Sequence, residues 1–146
     1  MTVALRKMRG AADRTHVDSM QHLLFPVPLN YHASLDEGQW WIATAERDGE
    51  KVLAGFCAIA PPKVKGDACY LSRAGVMPGF RGQGLQQRFI RTRLAWAKAN
   101  GFTCVVTDTA PTNPASSNSL IACGFRLYQP AHPWAAEGAL YWRKNL

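Results

Sequence analysis

The residues best placed to do chemistry lie together in Val76-Met77-Pro78-Gly79-Phe80-Arg81-Gly82-Gln83-Gly84-Leu85-Gln86. An apolar run ends at Gly75 and Val76, Pro78 and Gly79 turn the chain, and a helical pattern then continues to Asn100. Gly82 and Gly84 let the backbone come close to a ligand just before that helix. The first N–H groups of a helix have no intrahelical acceptor, and its dipole favours negative charge at that end. The spacing therefore points to an anion, phosphate foremost. From Arg81 to Lys98 the charged residues are Arg81, Arg88, Arg91, Arg93 and Lys98, with no Asp or Glu. With a formal net charge of +7 over the chain, this balance suits an acidic partner such as a nucleotide cofactor, nucleic acid or an anionic surface.

Other reactive side chains are scattered. Cys57, Cys69, Cys104 and Cys123 stand far apart in apolar surroundings with no Cys-x-x-Cys spacing, so they read as buried free thiols of a reducing compartment, with no metal site and no disulfide. His16 and His22 fall on a helical pattern without a partner at ligand spacing, and read as surface or packing residues. There is no Gly-x-Gly-x-x-Gly, and no Lys-Ser or Lys-Thr follows the glycines, so dinucleotide and nucleoside-triphosphate motifs are absent.

These residues need elements to hold them. A chain of 146 residues with 47% hydrophobic content is long enough for one buried core, and we expect one domain over residues 1–146. Val3 to Met8 alternates as a strand, and Ala11 to Leu24 repeats at helical spacing until Pro26 and Pro28 stop it. Asn30 to Gly38 reads as a loop that could lie over a substrate site. Gln39 to Ala45 and Val52 to Ala60 are strands joined through Asp48-Gly49, a strong hairpin signal. A turn at Pro61 to Asp67 leads to a third antiparallel strand, Ala68 to Val76, which feeds the glycine turn. Beyond the long helix, Phe102 to Thr107 is an apolar strand. A strand, a helical crossover and another strand make a parallel pair. Asn113 and Pro114 suit the cap and first position of a short helix ending near Cys123 and Gly124. Phe125 to Tyr128 and Ala139 to Arg143 complete the strands. The sequence thus predicts an α/β chain with a mixed sheet: an antiparallel meander passing into a parallel pair. Its start breaks into charge at Arg6-Lys7, and no apolar run is long enough for a bilayer, so a soluble, cytoplasmic protein with no membrane partner is expected.

The stretch Val76 to Leu85 resembles the acyl-coenzyme A signature of the GNAT superfamily of N-acetyltransferases, Q/R-x-x-G-x-G/A after a strand ending in Val-x-Pro. Asn113-Pro114-Ala115-Ser116 followed by Leu120-Ile121-Ala122-Cys123-Gly124-Phe125 is similar to the pattern that closes the family's second motif. The resemblance follows the whole chain in element order, and Leu71 to Tyr128 carries most of its specificity. It implies a GNAT-like fold with a splayed acyl-CoA cleft, acetyl-CoA as cosubstrate, and a pyrophosphate held by amides around Gly82, Gln83, Gly84, Leu85 and Gln86. Arg81 would lie beside them, Val76 N–H would align the thioester region, and Asn113 belongs to the same binding set. Two positions depart from the pattern. Gln86 stands where Gly or Ala is usual, and its amide rather than its side chain would meet phosphate. Leu120 replaces the tyrosine regarded as general acid.

The implied activity is acetyl transfer to an amine, by direct attack with water-mediated proton removal. The acceptor is a small-molecule amine, an amino acid or a protein amine. Asp108, at the end of the parallel strand, is the first candidate for the base, with capping of the following turn as its other reading. Glu37 and Glu137 are further candidates. Ser116 matches a position where some relatives carry a serine near the thiol, and is equally an ordinary first-turn serine. Tyr70 and Tyr128 could reach the cleft. Trp40, Trp41, Trp134 and Trp142, with Tyr31, His32 and His132, serve either packing or recognition. Two other readings compete: a noncatalytic acyl-CoA-binding regulatory module, motivated by Leu120, and a basic nucleic-acid-binding protein. For the latter, Arg88, Arg91 and Lys98 share a helix face opposite Leu85, Phe89 and Ile90, as a simple solvated face also does. A homodimer is possible, with Ala139 to Leu146 as its pairing edge.

Overall fold

The Asp48-Gly49 pair makes a two-residue hairpin turn. Both residues adopt the left-handed conformation, with φ of 52° and 79°, so strands β2 (Gln39–Arg47) and β3 (Glu50–Ala60) close directly through Arg47 opposite Glu50. The computed structural model describes residues 2–25, 33–62 and 68–146. Pro26, Pro28, Asn30, Tyr31 and His32, and most of the turn between β3 and the next strand, lie outside the described residues.

β1 (Val3–Lys7) pairs antiparallel with β2, and β4 (Ala68–Val76) pairs antiparallel with β3. β5 (Cys104–Thr109) joins β4 in parallel. β7 (Leu140–Asn145) lies antiparallel to β5, and the two-residue β6 (Arg126–Leu127) closes the sheet. The order β1-β2-β3-β4-β5-β7-β6 gives the expected meander and parallel pair. It also corrects the expected dimer edge. β7 is an interior strand, and the free edge on that side is the short β6. The chain turns back at Gly124 (φ 89°), and Phe125 N–H bonds Leu120 O at 3.0 Å, which leaves only Arg126 and Leu127 to pair.

Among the described residues, three α-helices flank the sheet. In the first turn of α1 (Gly10–Leu24), Asp13 Oδ2 accepts the Arg9 N–H at 2.8 Å and its Oδ1 accepts from Arg6 Nη2 at 2.8 Å. This ties the helix start to β1. α1 buries Val17 and Met20 against Trp40, Ile42, Phe56 and Ala58 on one sheet face, with Trp40 and Phe56 stacked at 5.9 Å. α2 (Leu85–Ala99) covers the opposite face, where Phe89 and Ile90 pack on Cys57, Leu71 and Val105. A fully buried Phe such as Phe89 contributes about 2–3 kcal/mol. α3 (Pro114–Ala122) sits beyond the end of β5. Cys57, Cys69 and Cys104 are buried and all four cysteines are free.

Candidate active site

The pairing of β4 with β5 stops early. It runs only from Ala68 opposite Cys104 to Tyr70 opposite Val106. Thr107 Oγ1 donates to Leu71 O at 3.0 Å just past that point. β4 then continues with β3, while β5 continues with β7 as far as Thr109. A register shift at Ala58/Ile59, where Arg73 and Leu71 are the respective partners, leaves Ser72 as an extra residue and bends β4 away. A cavity of about 390 Å³ opens in the gap, lined by Ser72 and Ala74 on one strand, Asp108 and Thr109 on the other, and Ser116 and Leu120 of α3.

The glycine turn lies at one end of this gap. Pro78–Phe80 forms a 3-10 turn, anchored by the buried Phe80 under the Arg47 guanidinium at 5.6 Å. Gly82 and Gly84 take φ of 75° and 77°, and a Cβ on either would meet no protein atom within 4 Å. Gly84 is the N-cap of α2 and offers no side chain. The first helical bond is Arg88 N–H to Gly84 O at 3.1 Å, so the amides of Leu85, Gln86 and Gln87 have no acceptor within the helix. Met77 N–H bonds Ala54 O at 2.9 Å. Because antiparallel residues alternate in direction, the N–H and C=O of neighbouring Val76 point away from β3, into the gap. Arg81 Nε bonds that Val76 carbonyl at 3.2 Å.

A second cavity, about 750 Å³, is lined by Val76, Arg81, Gly82, Gly84, Leu85, Gln86 and Asn113. Of the binding candidates, Gln83 alone lies outside its wall and is exposed. The Leu85 side chain belongs to the core, which leaves its N–H for a ligand. The two cavities share Phe25, Ala74, Gln86, Asn113, Ser116 and Ser119, and so meet between β4, the start of α2 and α3.

Asp108 and Ser116 both line the first cavity. Asp108 belongs to β5, one residue short of its end, and its Oδ1 accepts the Tyr70 hydroxyl at 2.7 Å. The turn beyond is closed instead by Asn113 N–H to Ala110 O at 3.0 Å. Burial, followed by the adjacent Asp108 charge and this hydrogen bond, raises the Tyr70 phenol above its ordinary value, with Arg73 opposing. Tyr70 thus remains protonated and a donor across the neutral range. Its ring is held edge-on to Trp134 at 5.2 Å, and Trp134 to Tyr141 at 5.0 Å. Ser116 gives its N–H to the Asn113 cap at 3.2 Å, and the residue lines both cavities. Thr109 joins the parts, receiving Trp142 Nε1–H at 2.9 Å and lying 3.3 Å from Ser117 Oγ. Glu37 and Glu137 are exposed and line neither cavity. Leu120 is buried in the wall and offers no proton.

Arg93, one of the basic residues between Arg81 and Lys98, is buried in the core. It is 3% exposed. Its Nε donates to Phe89 O at 3.1 Å, and its Nη1 to Ala58 O at 3.1 Å and Arg73 O at 3.4 Å, holding the bulged part of β4. Burial lowers its pKa, and only Cys57 and Cys123 oppose that shift. Arg88, Arg91 and Lys98 are exposed. The i, i+4, i+7 spacing of Gln86, Ile90 and Arg93 was the available signal, since it puts Arg93 beside the buried Ile90. Among the described residues, no three His, Cys, Asp or Glu side chains could hold a metal ion, and no helix is long and apolar enough to cross a membrane.

The model of the acetyltransferase (GNAT) family matches residues 6–125. N-acetyltransferase 8F1 of Rattus norvegicus is 28% identical over 98 residues, which are 67% of this chain and 42% of that protein. The chain therefore matches less than half the length of this curated relative. A Bacillus subtilis acetyltransferase solved in complex with CoA has a TM-score of 0.76 at 14% identity, covering 99% of both chains. A GNAT family acetyltransferase from Elizabethkingia anophelis with acetyl-CoA bound has a TM-score of 0.74 at 14% identity, covering 99% of this chain and 98% of the other. At such identities the likeness is one of fold.

Proposed function

The chain belongs to the GNAT family of acetyltransferases, and on that premise we propose that it transfers an acetyl group from acetyl-CoA to an amine. The observation that carries the reading is the early end of β4–β5 pairing at Tyr70 and Val106, with an open glycine turn at one end of the gap and a carboxylate, Asp108, on its wall. The residues present fit the cosubstrate. The amides of Leu85, Gln86 and Gln87 and the open faces of Gly82 and Gly84 would hold a pyrophosphate, with Arg81 beside them. When bound, acetyl-CoA supplies an activated acyl group on a fair leaving group.

The chain's own residues do the rest. Val76 N–H faces the gap and is aimed where charge grows on the acyl oxygen; one such donor is worth about 3 kcal/mol of barrier. Holding amine and acyl carbon in one gap removes much of the entropic cost of the encounter. Asp108 takes the proton of the attacking amine, through water, and Tyr70 orients its carboxylate by the 2.7 Å bond. Ser116, on the wall shared by the two cavities, gives a hydrogen bond to the departing thiolate, which takes its proton from water, where many relatives have a tyrosine. The acceptor class stays at amines, with small amines, amino acids and protein amines all compatible.

The test is CoA release, followed over a panel of amines, amino acids, polyamines and peptides. At least one amine should be acetylated well above the rate of thioester hydrolysis. Tight CoA binding with no transfer across the panel would instead favour the regulatory-module reading.

A further inference from the structure

Gln86 carries the one buried side-chain polar atom without a hydrogen-bond partner among the described residues, its Oε1. Buried polar atoms are nearly always paired, so such an orphan calls for an explanation. Its position supplies one. Gln86 is the second residue of α2 and lies on the wall that the glycine-turn cavity shares with the gap between β4 and β5. We propose, resting on the acyl-CoA reading, that Gln86 Oε1 accepts an amide N–H of the pantetheine arm of acetyl-CoA.

Chemistry narrows the choice. Oε1 is a carbonyl oxygen and only accepts, so it cannot bind a pyrophosphate, which also only accepts at neutral pH. The acetyl group has no N–H to give. The acceptor amine belongs on the other side of the sheet. Val105 packs with Phe89 and Ile90 on the α2 face, and strand alternation puts Asp108 on the opposite face, where it meets Tyr70. The arm joining pyrophosphate to thioester must pass from one cavity to the other, through the wall that Gln86 shares, and it carries amide N–H donors. The residue at the sequence signature's usual Gly or Ala position thus contributes its side chain as well as its backbone amide.

The test compares two ligands on the whole chain by calorimetry: CoA, and adenosine 3′-phosphate 5′-diphosphate, which keeps the pyrophosphate and lacks the arm. Gln86→Met keeps length and volume but removes the acceptor; Gln86→Ala is the second variant. CoA should bind either variant about tenfold more weakly, since the arm's N–H is left buried and unpaired, while the armless nucleotide should bind within twofold of the parent. The ligand-free Gln86→Met protein should also melt no lower than the parent, because an orphan has been removed. Unchanged CoA affinity, or equal weakening of both ligands, overturns the assignment. If the parent binds neither ligand, the acyl-CoA reading itself has failed, which is a distinct outcome.

Discussion

Replacing Gly84 with Asp should separate binding from folding. Gly84 holds φ 77° and ψ 10° at the N-cap of α2, and a Cβ there meets no protein atom within 4 Å. The fold therefore pays only for a left-handed non-glycine residue, about 1–2 kcal/mol, and Asp tolerates that conformation better than most. A carboxylate at a helix N-terminus returns about 0.3–1 kcal/mol. The net cost should lower Tm by only about 2–4 °C in a chain of this size. Binding fares differently, because the carboxylate occupies the amide cradle and faces two phosphate charges. Each like-charge contact costs about 1 kcal/mol in water and about 4 kcal/mol in a partly dry site. A total of at least about 3 kcal/mol corresponds to more than a hundredfold loss of acetyl-CoA affinity. Calorimetry with acetyl-CoA reads this directly, and Gly84→Ala, which adds the same strain without the charge, should lose much less. Acetyl-CoA affinity of the Asp variant within threefold of the parent would refute the cradle.

Asp108→Asn should lower kcat by about 10²–10⁴-fold with CoA affinity unchanged in calorimetry, and Tyr70→Phe should give a smaller fall in kcat; full activity in Asp108→Asn removes Asp108 as the base. Ser116→Ala should slow turnover while Tm holds, since the cap uses the Ser116 amide. Arg93→Ala should destabilise the protein by about 3 kcal/mol in denaturant melts, because two buried carbonyls and one half-buried carbonyl lose the guanidinium as a donor. Asp13 is drawn down from 3.8 to about 2, chiefly by the hydrogen bond from Arg6. A carboxyl with a depressed folded pKa adds stability above its unfolded value and loses it as pH falls. Asp13→Asn should therefore be less stable than the parent at neutral pH, with the difference shrinking between about pH 4 and pH 2; an equal gap at both ends would contradict it.

What sequence could show depended on how local each feature is. The Asp48-Gly49 turn, the Gly82/Gly84 approach to α2 and the Asn113-Pro114 cap are set by neighbouring residues, and each was readable from residue type. Tyr70 and Asp108 are 38 residues apart, and their contact depends on the parallel register that puts Tyr70 opposite Val106. Arg93 was legible only as one of the basic residues of the stretch from Arg81 to Lys98. Its burial follows from the bulge at Ala58/Ile59, which presents Ala58 O and Arg73 O to it. β7 reads as a terminal strand in chain order, yet it lies between β5 and β6 because strand order in space is a long-range outcome. Gln86 was visible as a departure from a motif, while the orphaned Oε1 appears only once α2, α3 and β4 are packed together.

The central claim is that the gap left where β4 parts from β5 is the acyl-transfer site. A crystal structure of the chain soaked or grown with acetyl-CoA tests it most directly. The account predicts pyrophosphate density on the amides of Leu85, Gln86 and Gln87, the arm running between Ala74 and Ser116, and the thioester carbonyl facing Val76 N–H. Acetyl-CoA bound elsewhere, or bound at the turn with its thioester outside the gap and away from Asp108, would contradict it.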